Sequence, residues 1–144
     1  MNREQFQVYV DHFNNRRYDA VTGYFAPDIT VEYYDNATGE QVPHRTLHGP
    51  AEFEAAYKAL HANVREVLEL RSFLSSETEM FVELYTEFHA FNDAPPSASR
   101  PPMKKGDVVI MTNFILYEME GDIMKRIRIA HFRNHDPGEA KYKE

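Results

Sequence analysis

The stretch Val108-Val-Ile-Met-Thr-Asn-Phe-Ile-Leu-Tyr-Glu-Met-Glu120, Gly121-Asp122, Ile123-Met-Lys-Arg-Ile-Arg-Ile-Ala-His-Phe-Arg-Asn134 reads as two strands of period two joined by a tight turn. A Gly-Asp pair between two such runs makes a hairpin and sets its register. With Gly121 and Asp122 as the loop residues, Asn113 faces Ala130. Met111, Asn113 and Ile115 then share one face with Arg128 and Phe132 across the pair. The other face carries Thr112, Phe114, Leu116, Ile127, Ile129 and His131. Both faces are half apolar, as expected where one lines a cavity and the other packs in a dimer. A single-residue bulge would exchange Arg128 for His131 on the cavity side.

Two further strands precede this pair, at about 66–74 and 79–91. In the second, Met80, Val82, Leu84, Thr86 and Phe88 alternate with Phe81, Glu83, Tyr85, Glu87 and His89, so the even positions face the core. On that parity Glu83, Glu87 and Arg71 form a solvated or dimer-interface ladder. Upstream the period changes to that of helices. Phe6, Tyr9, Val10 and Phe13 make one apolar stripe of a helix over about 3–15. A short helix covers Tyr18 to Phe25, stopped by Ala26-Pro27, and Ile29, Val31 and Tyr33 mark a strand. Residues 35–39 turn the chain into a short strand at about 42–47. Gly49-Pro50 then opens a third helix, whose buried face holds Phe53, Ala56, Tyr57, Leu60, His61 and Val64. The Pro-rich stretch 92–106 is a loop of a length that is usually functional or mobile. The charged tail from Asp136 is expected to fray.

Composition narrows the chemistry. The 144 residues suit one domain that needs neither disulfide nor metal for stability. With no cysteine, thiolate metal sites and cysteine nucleophiles are excluded. Sixteen basic against 23 acidic residues, a net charge of −7, argue against nucleic acid or an anionic membrane as partner and favour a small neutral ligand. No apolar run approaches the ~20 residues of a membrane span, and the N-terminal residues lack a secretory pattern, which predicts a cytoplasmic address. His44 and His48 have the spacing of a zinc-binding helix pair, but Pro43 and Gly49-Pro50 break any helix there, so no metal is expected. The 10 Phe and 9 Tyr exceed what filling a core of this size requires.

Helix, short helix, strand, strand, helix and four-segment antiparallel sheet give an α+β order with helices on one face of a curved sheet. Tyr9-Val-Asp-His-Phe-Asn-Asn-Arg-Arg-Tyr-Asp-Ala-Val-Thr-Gly-Tyr-Phe-Ala-Pro-Asp-Ile-Thr-Val-Glu-Tyr33, Leu47-His-Gly-Pro-Ala-Glu-Phe53 and the Gly-Asp-Ile hairpin resemble the SnoaL-like and ketosteroid-isomerase-like members of the nuclear transport factor 2-like superfamily. The resemblance implies a cone-shaped α+β barrel, a curved, mostly antiparallel sheet wrapped on three helices, over residues 1–135 with a charged tail at 136–144. It also implies a deep apolar pocket and chemistry without a cofactor: isomerisation, dehydration or cyclisation of a hydrophobic, aromatic or polyketide-like hydroxy or carbonyl compound. Subunits of the same fold that only bind a small molecule, or only build a dimer, are the alternative.

Site residues follow position by position. The helix-one Tyr that donates a hydrogen bond in ketosteroid isomerase matches Tyr9, which also belongs to the buried stripe. The isomerase's catalytic Asp is replaced by Tyr33, where scytalone dehydratase is similar in using a Tyr. Its protonated Asp falls at Asn113, an amide that donates without a raised pKa. The acid–base Asp of related hydrolases on the last strand is missing, which leaves Arg128 as an anchor or His131 as a proton carrier. His61, one turn from Tyr57 on the third helix, is the expected mobile-proton residue. Tyr57, Thr86, Phe88, Met111 and Phe132 are the expected substrate contacts. No carboxylate is expected inside the cone.

Overall fold

The stripe of Phe6, Tyr9, Val10 and Phe13 is the buried face of helix α1 (Arg3–Asn14) in the computed structural model, which describes residues 1–35, 42–96 and 101–143. Asn2 and Gln5 cap that helix reciprocally, each side chain accepting the other's backbone N–H at 2.8 Å. At its far end Arg17 N–H reaches His12 O at 2.9 Å and Arg16 N–H reaches Phe13 O at 3.0 Å, with Arg16 at φ 60°. A non-glycine residue in that region costs about 1–2 kcal/mol. The Arg16 guanidinium offsets this by donating to Phe13 O at 3.2 Å and Glu66 O at 2.9 Å, which ties the turn to the sheet.

The second helix, α2 (Tyr18–Thr22), is shorter than its pattern predicts. It closes at Gly23 because Tyr24 O already accepts the N–H of Met124 at 2.7 Å and Phe25 opens strand β1 (Phe25–Asp35). There follow β2 (Arg45–His48), α3 (Gly49–His61), β3 (Val64–Ser75), β4 (Glu79–Ala90), β5 (Val108–Glu120), β6 (Ile123–His135) and a 3-10 turn (Pro137–Glu139). The expected turn at 36–39 lies outside the described residues, as do 97–100 of the Pro-rich loop.

The six strands form one sheet in the order β2-β1-β6-β5-β4-β3, antiparallel except for the β1–β6 pair. It is curved but not closed, and α1, α3 and the cone-facing side chains share one core. The expected α+β cone is present as an open sheet. The described parts of the Pro-rich loop fold back on this core: Ala94 and Met103 exchange backbone hydrogen bonds at 2.8 and 3.0 Å, and Met103 packs on Val64, Phe88 and Ala90.

The β5–β6 register departs from expectation in one informative way. Glu120 pairs with Ile123 and Met119 with Met124, as a two-residue hairpin requires, but Glu118 pairs with Arg126. Lys125 is a bulge, so Asn113 faces His131 and not Ala130. The bulge reverses parity along β6. Ile127, Ile129 and His131 turn into the cone, while Arg126 and Arg128 turn out. A second bulge at Phe132 lies between the pairs Asn113–His131 and Thr112–Arg133.

On the outer face of the sheet the tail does not fray. Glu87, whose side chain is fully buried, accepts the N–H groups of Lys141 at 2.7 Å and Tyr142 at 3.0 Å, the Tyr85 hydroxyl at 2.7 Å and His89 Nε2 at 2.8 Å. The Tyr142 hydroxyl donates to Glu69, and Arg65 donates to Tyr142 O. The expected solvated ladder at Glu87 is therefore a covered carboxylate cradle. Glu83 instead accepts from Ser72 Oγ at 2.8 Å, and Arg71 lies over the Tyr85 ring.

Candidate functional site

Between the helices and the sheet lies a cavity of about 380 Å³. Its walls are mainly apolar, with Phe13, Phe53, Leu68, Leu84 and Ile115 among them, as small-molecule sites generally are. Of the residues expected there, Tyr9, Tyr33, Tyr57, Thr86, Phe88, Met111, Asn113 and His131 line it. Arg128 and Phe132 do not, because the Lys125 bulge puts Arg128 on the outer face and the second bulge carries Phe132 onto Phe114, 4.6 Å between centroids. His61 does not line it either, since its ring is turned into the wall behind Glu66.

Helix packing positions the phenols. Tyr57 is wedged between Phe53, at 4.5 Å, and Phe13, at 5.3 Å, and its hydroxyl meets that of Tyr33 at 2.6 Å. Tyr9 is clamped by Phe6 and Tyr24, each at 5.3 Å. Tyr117, on the same face of β5 as Asn113 and Ile115, joins them as a fourth phenol. The hydroxyls of Tyr9 and Tyr117 have no hydrogen-bond partner among the described residues, and neither does the Asn113 amide. Burial pushes the Tyr9, Tyr57 and Tyr117 phenols far above their ordinary 10, with neighbouring tyrosines adding to it. These groups stay protonated and serve as hydrogen-bond donors aimed into an apolar space.

The cone does hold a carboxylate, contrary to expectation. Glu66 on β3 lines the cavity with a 7% exposed side chain. Its Oε1 lies 2.9 Å from His61 Nε2, and His61 Nδ1 lies 2.7 Å from the Tyr18 hydroxyl. Glu66 Oε2 has no hydrogen-bond partner among the described residues. No sequence signal separated Glu66 from the other charged residues of β3; only the partner placed by α3 distinguishes it.

Polar groups also ring the cavity's outer part: Asp35, His44, Arg45, His131 and Asn134. His131 Nε2 is 2.9 Å from Asn134 Oδ1, and its Nδ1 is 3.7 Å from Asp35. Pro101 and Met103 bring the Pro-rich loop to the same wall. Lys104 and Lys105 are turned away, their backbone N–H groups bound to Asp107 and Asp93. Among the described residues no three His, Asp or Glu side chains gather as a metal-binding group, and no helix is long and apolar enough to cross a membrane.

Comparison with known proteins agrees with this anatomy. A model of the SnoaL-like domain family matches residues 6–126. A SnoaL-like polyketide cyclase from Agrobacterium tumefaciens superposes with a TM-score of 0.61 at 13% identity, covering 89% of this chain and 88% of that one. An NTF2-like protein of unknown function from Burkholderia pseudomallei gives 0.67 at 16% identity, covering 92% of each chain. An LEH-like epoxide hydrolase of M. tuberculosis gives 0.63 at 10% identity, covering 88% and 79%. At these identities the likeness is one of fold. No curated protein sequence matches the chain significantly.

Proposed function

The chain belongs to the SnoaL-like domain family, and from that premise we propose that it is a cofactor-free isomerase, dehydratase or cyclase. It would act by proton transfer on a small hydrophobic hydroxy or carbonyl compound bound in the cone. The observation that carries this reading is the pairing, inside one largely apolar cavity, of a buried, histidine-backed carboxylate with a set of un-ionised phenols. Glu66 is the group able to take or give a proton. Tyr33 with Tyr57, Tyr9 and Asn113 are the donors able to hold a substrate oxygen as it gains negative charge. The apolar walls suit an aromatic or polyketide-like skeleton, and removal of water strengthens each polar contact.

The test is a screen of aromatic ketones, β-hydroxy ketones and phenolic polyketide-like compounds, scored for isomerisation, dehydration or ring closure. Glu66→Gln is expected to lower the turnover found by about 10² or more. Tight binding of such compounds with no conversion of any would favour the rival reading, a protein that only holds its ligand.

We also infer a homodimer built on the outer face of the sheet. Phe81, Phe114 and Phe132 stack there at 5.7 and 4.6 Å, Phe132 is 46% exposed, and Leu116 is half-buried beside them. Arg128 points to the same face, and its Nε is buried without a hydrogen-bond partner among the described residues. Tyr85, expected on this surface, is covered by the chain's own C-terminal segment.

A further inference from the structure

We propose that Tyr18, which lies outside the cavity, is a positioning residue for its carboxylate: the Tyr18 hydroxyl donates to His61 Nδ1 and anchors the ring, so that the Nε2 proton that Glu66 selects stays aimed at Glu66 Oε1. The inference rests on the reading of Glu66 as the proton-transfer group and extends the site to a residue no substrate touches. Three elements converge to build the arrangement. Tyr18 opens α2, His61 closes α3 and Glu66 lies near the start of β3.

A neutral imidazole has one donor and one acceptor nitrogen, and the group facing each decides which is which. A carboxylate only accepts. A phenol both donates and accepts, so on its own it leaves the tautomer open. Here burial raises the Tyr18 phenol above its ordinary 10, with Arg16 opposing and Glu66 adding to it, so that it keeps its proton. With a carboxylate facing Nε2, a neutral ring has one pattern that satisfies both nitrogens: Nε2–H to Oε1, which leaves Nδ1 to accept the Tyr18 O–H. The His61 side chain is 4% exposed, so water is poorly placed to substitute for either partner. Glu66 is thereby held through one oxygen, while Oε2, with no hydrogen-bond partner among the described residues, remains for a ligand. The charged groups nearby do not supply that order. Arg16 binds the Glu66 backbone oxygen rather than the carboxylate, and Lys58 is paired with Glu54 at 3.0 Å while lying over the Tyr18 ring.

Tyr18→Phe removes the hydroxyl and leaves the ring, which stacks on His61 at 5.8 Å and 26°, so the local packing survives. The first measurement needs no ligand: nitrogen NMR of the histidine rings in wild type, Tyr18→Phe and Glu66→Gln at mildly alkaline pH. The expected wild-type signature for His61 is Nε2–H with an unprotonated, hydrogen-bonded Nδ1. Glu66→Gln, whose amide can donate as well as accept, should shift to a mixture of tautomers, whereas Tyr18→Phe should keep Nε2–H and lose the hydrogen-bonded signature at Nδ1. An Nδ1–H tautomer in wild type, or a Tyr18→Phe spectrum equal to wild type, overturns the proposal.

The second measurement uses 2-tetralone, whose hydrogens beside the carbonyl exchange for deuterium in heavy water when a base removes them. Glu66→Gln should lower catalysed exchange by about 10² or more. Tyr18→Phe should lower its maximal rate by about tenfold with the half-saturating concentration unchanged, because Tyr18 touches no ligand. A Tyr18→Phe protein with wild-type exchange overturns the positioning role and leaves the proton-transfer reading standing. Absence of exchange in wild type counts against that reading for ketones, while the NMR spectra still decide the role of Tyr18.

Discussion

The hydroxyls of Tyr33, on β1, and Tyr57, on α3, meet at 2.6 Å in the cavity wall. One of them donates to the other, so within the pair only the accepting phenol can turn its proton toward a bound oxygen, and the donating phenol acts through it. Tyr33→Phe and Tyr57→Phe should each lower kcat/KM on any substrate found by roughly 10–10². The double variant should lose clearly less than the product of the two, because removing either hydroxyl disables the pair. A double-mutant cycle on the purified proteins measures this, and strictly additive losses would show that the two phenols work independently.

The raised phenols also predict how the protein meets alkali. Burial keeps Tyr9, Tyr57 and Tyr117 protonated in the fold, whereas in the unfolded chain they ionise near 10. A group whose folded pKa is raised contributes stability that is intact below its unfolded value and lost as pH rises beyond it. Stability is therefore expected to be flat up to about pH 10 and to fall above it. Ultraviolet difference absorbance should show these three tyrosines ionising only together with loss of circular dichroism. Their ionisation in a still-folded protein would contradict their placement.

Sequence and structure part company on β3, β4 and β6. The Gly121-Asp122 hairpin and the inner face of β5 were legible, since turn chemistry and alternation agreed. Counting inward from the turn then gave the wrong face for Arg128, because a one-residue bulge at Lys125 carries no glycine or proline to announce it. The alternation Ile127-Arg128-Ile129 held the better signal: isoleucines inside and arginines outside is what burial prefers, and it outweighs a register extrapolated from the turn. Glu66 and Glu87 were missed for a shared reason. Each is a charged residue buried by partners from distant segments, His61 on α3 and the backbone of Lys141 and Tyr142, and no local period records such partners. Three of the four phenols were legible, since Tyr9, Tyr33 and Tyr57 follow from helix and strand faces, while Tyr117 had an assigned strand but no assigned role.

The aromatic stack on the outer face predicts an oligomeric state. Sedimentation at micromolar concentration should give a dimer for the wild type and a monomer for Phe114→Glu, which places a charge among Phe81 and Phe132 and desolvates it on association. The cavity lies on the other side of β5, so ligand binding should survive the substitution. A wild-type monomer would remove the dimer from consideration.

The buried Glu87 fixes the behaviour in acid. Its burial would raise the carboxyl, but the N–H of Lys141, the Tyr85 hydroxyl, His89 and the N–H of Tyr142 outweigh that and bring it from 4.5 down to about 2. Glu32 reaches about 2 chiefly through its hydrogen bonds from Arg126, at 2.5 and 2.9 Å, with burial opposing and Tyr34 assisting. A depressed folded pKa contributes stability present above the unfolded value and lost as pH falls toward the folded one. Both groups therefore place the loss between about pH 4.5 and pH 2. Glu87→Gln turns one of the acceptor oxygens into a donor and leaves at least one buried N–H or hydroxyl unpaired, at a cost of about 1–3 kcal/mol at neutral pH. It should also flatten the acid limb, retaining the share due to Glu32 and the lowered carboxyl of Glu69, and should expose the segment after His135 to proteolysis, since Lys141 and Tyr142 lose their acceptor. Denaturant melts at pH 7 and at pH values below 4.5 make the comparison, and equal stability of variant and wild type at both would show that Glu87 does not hold the C-terminal segment.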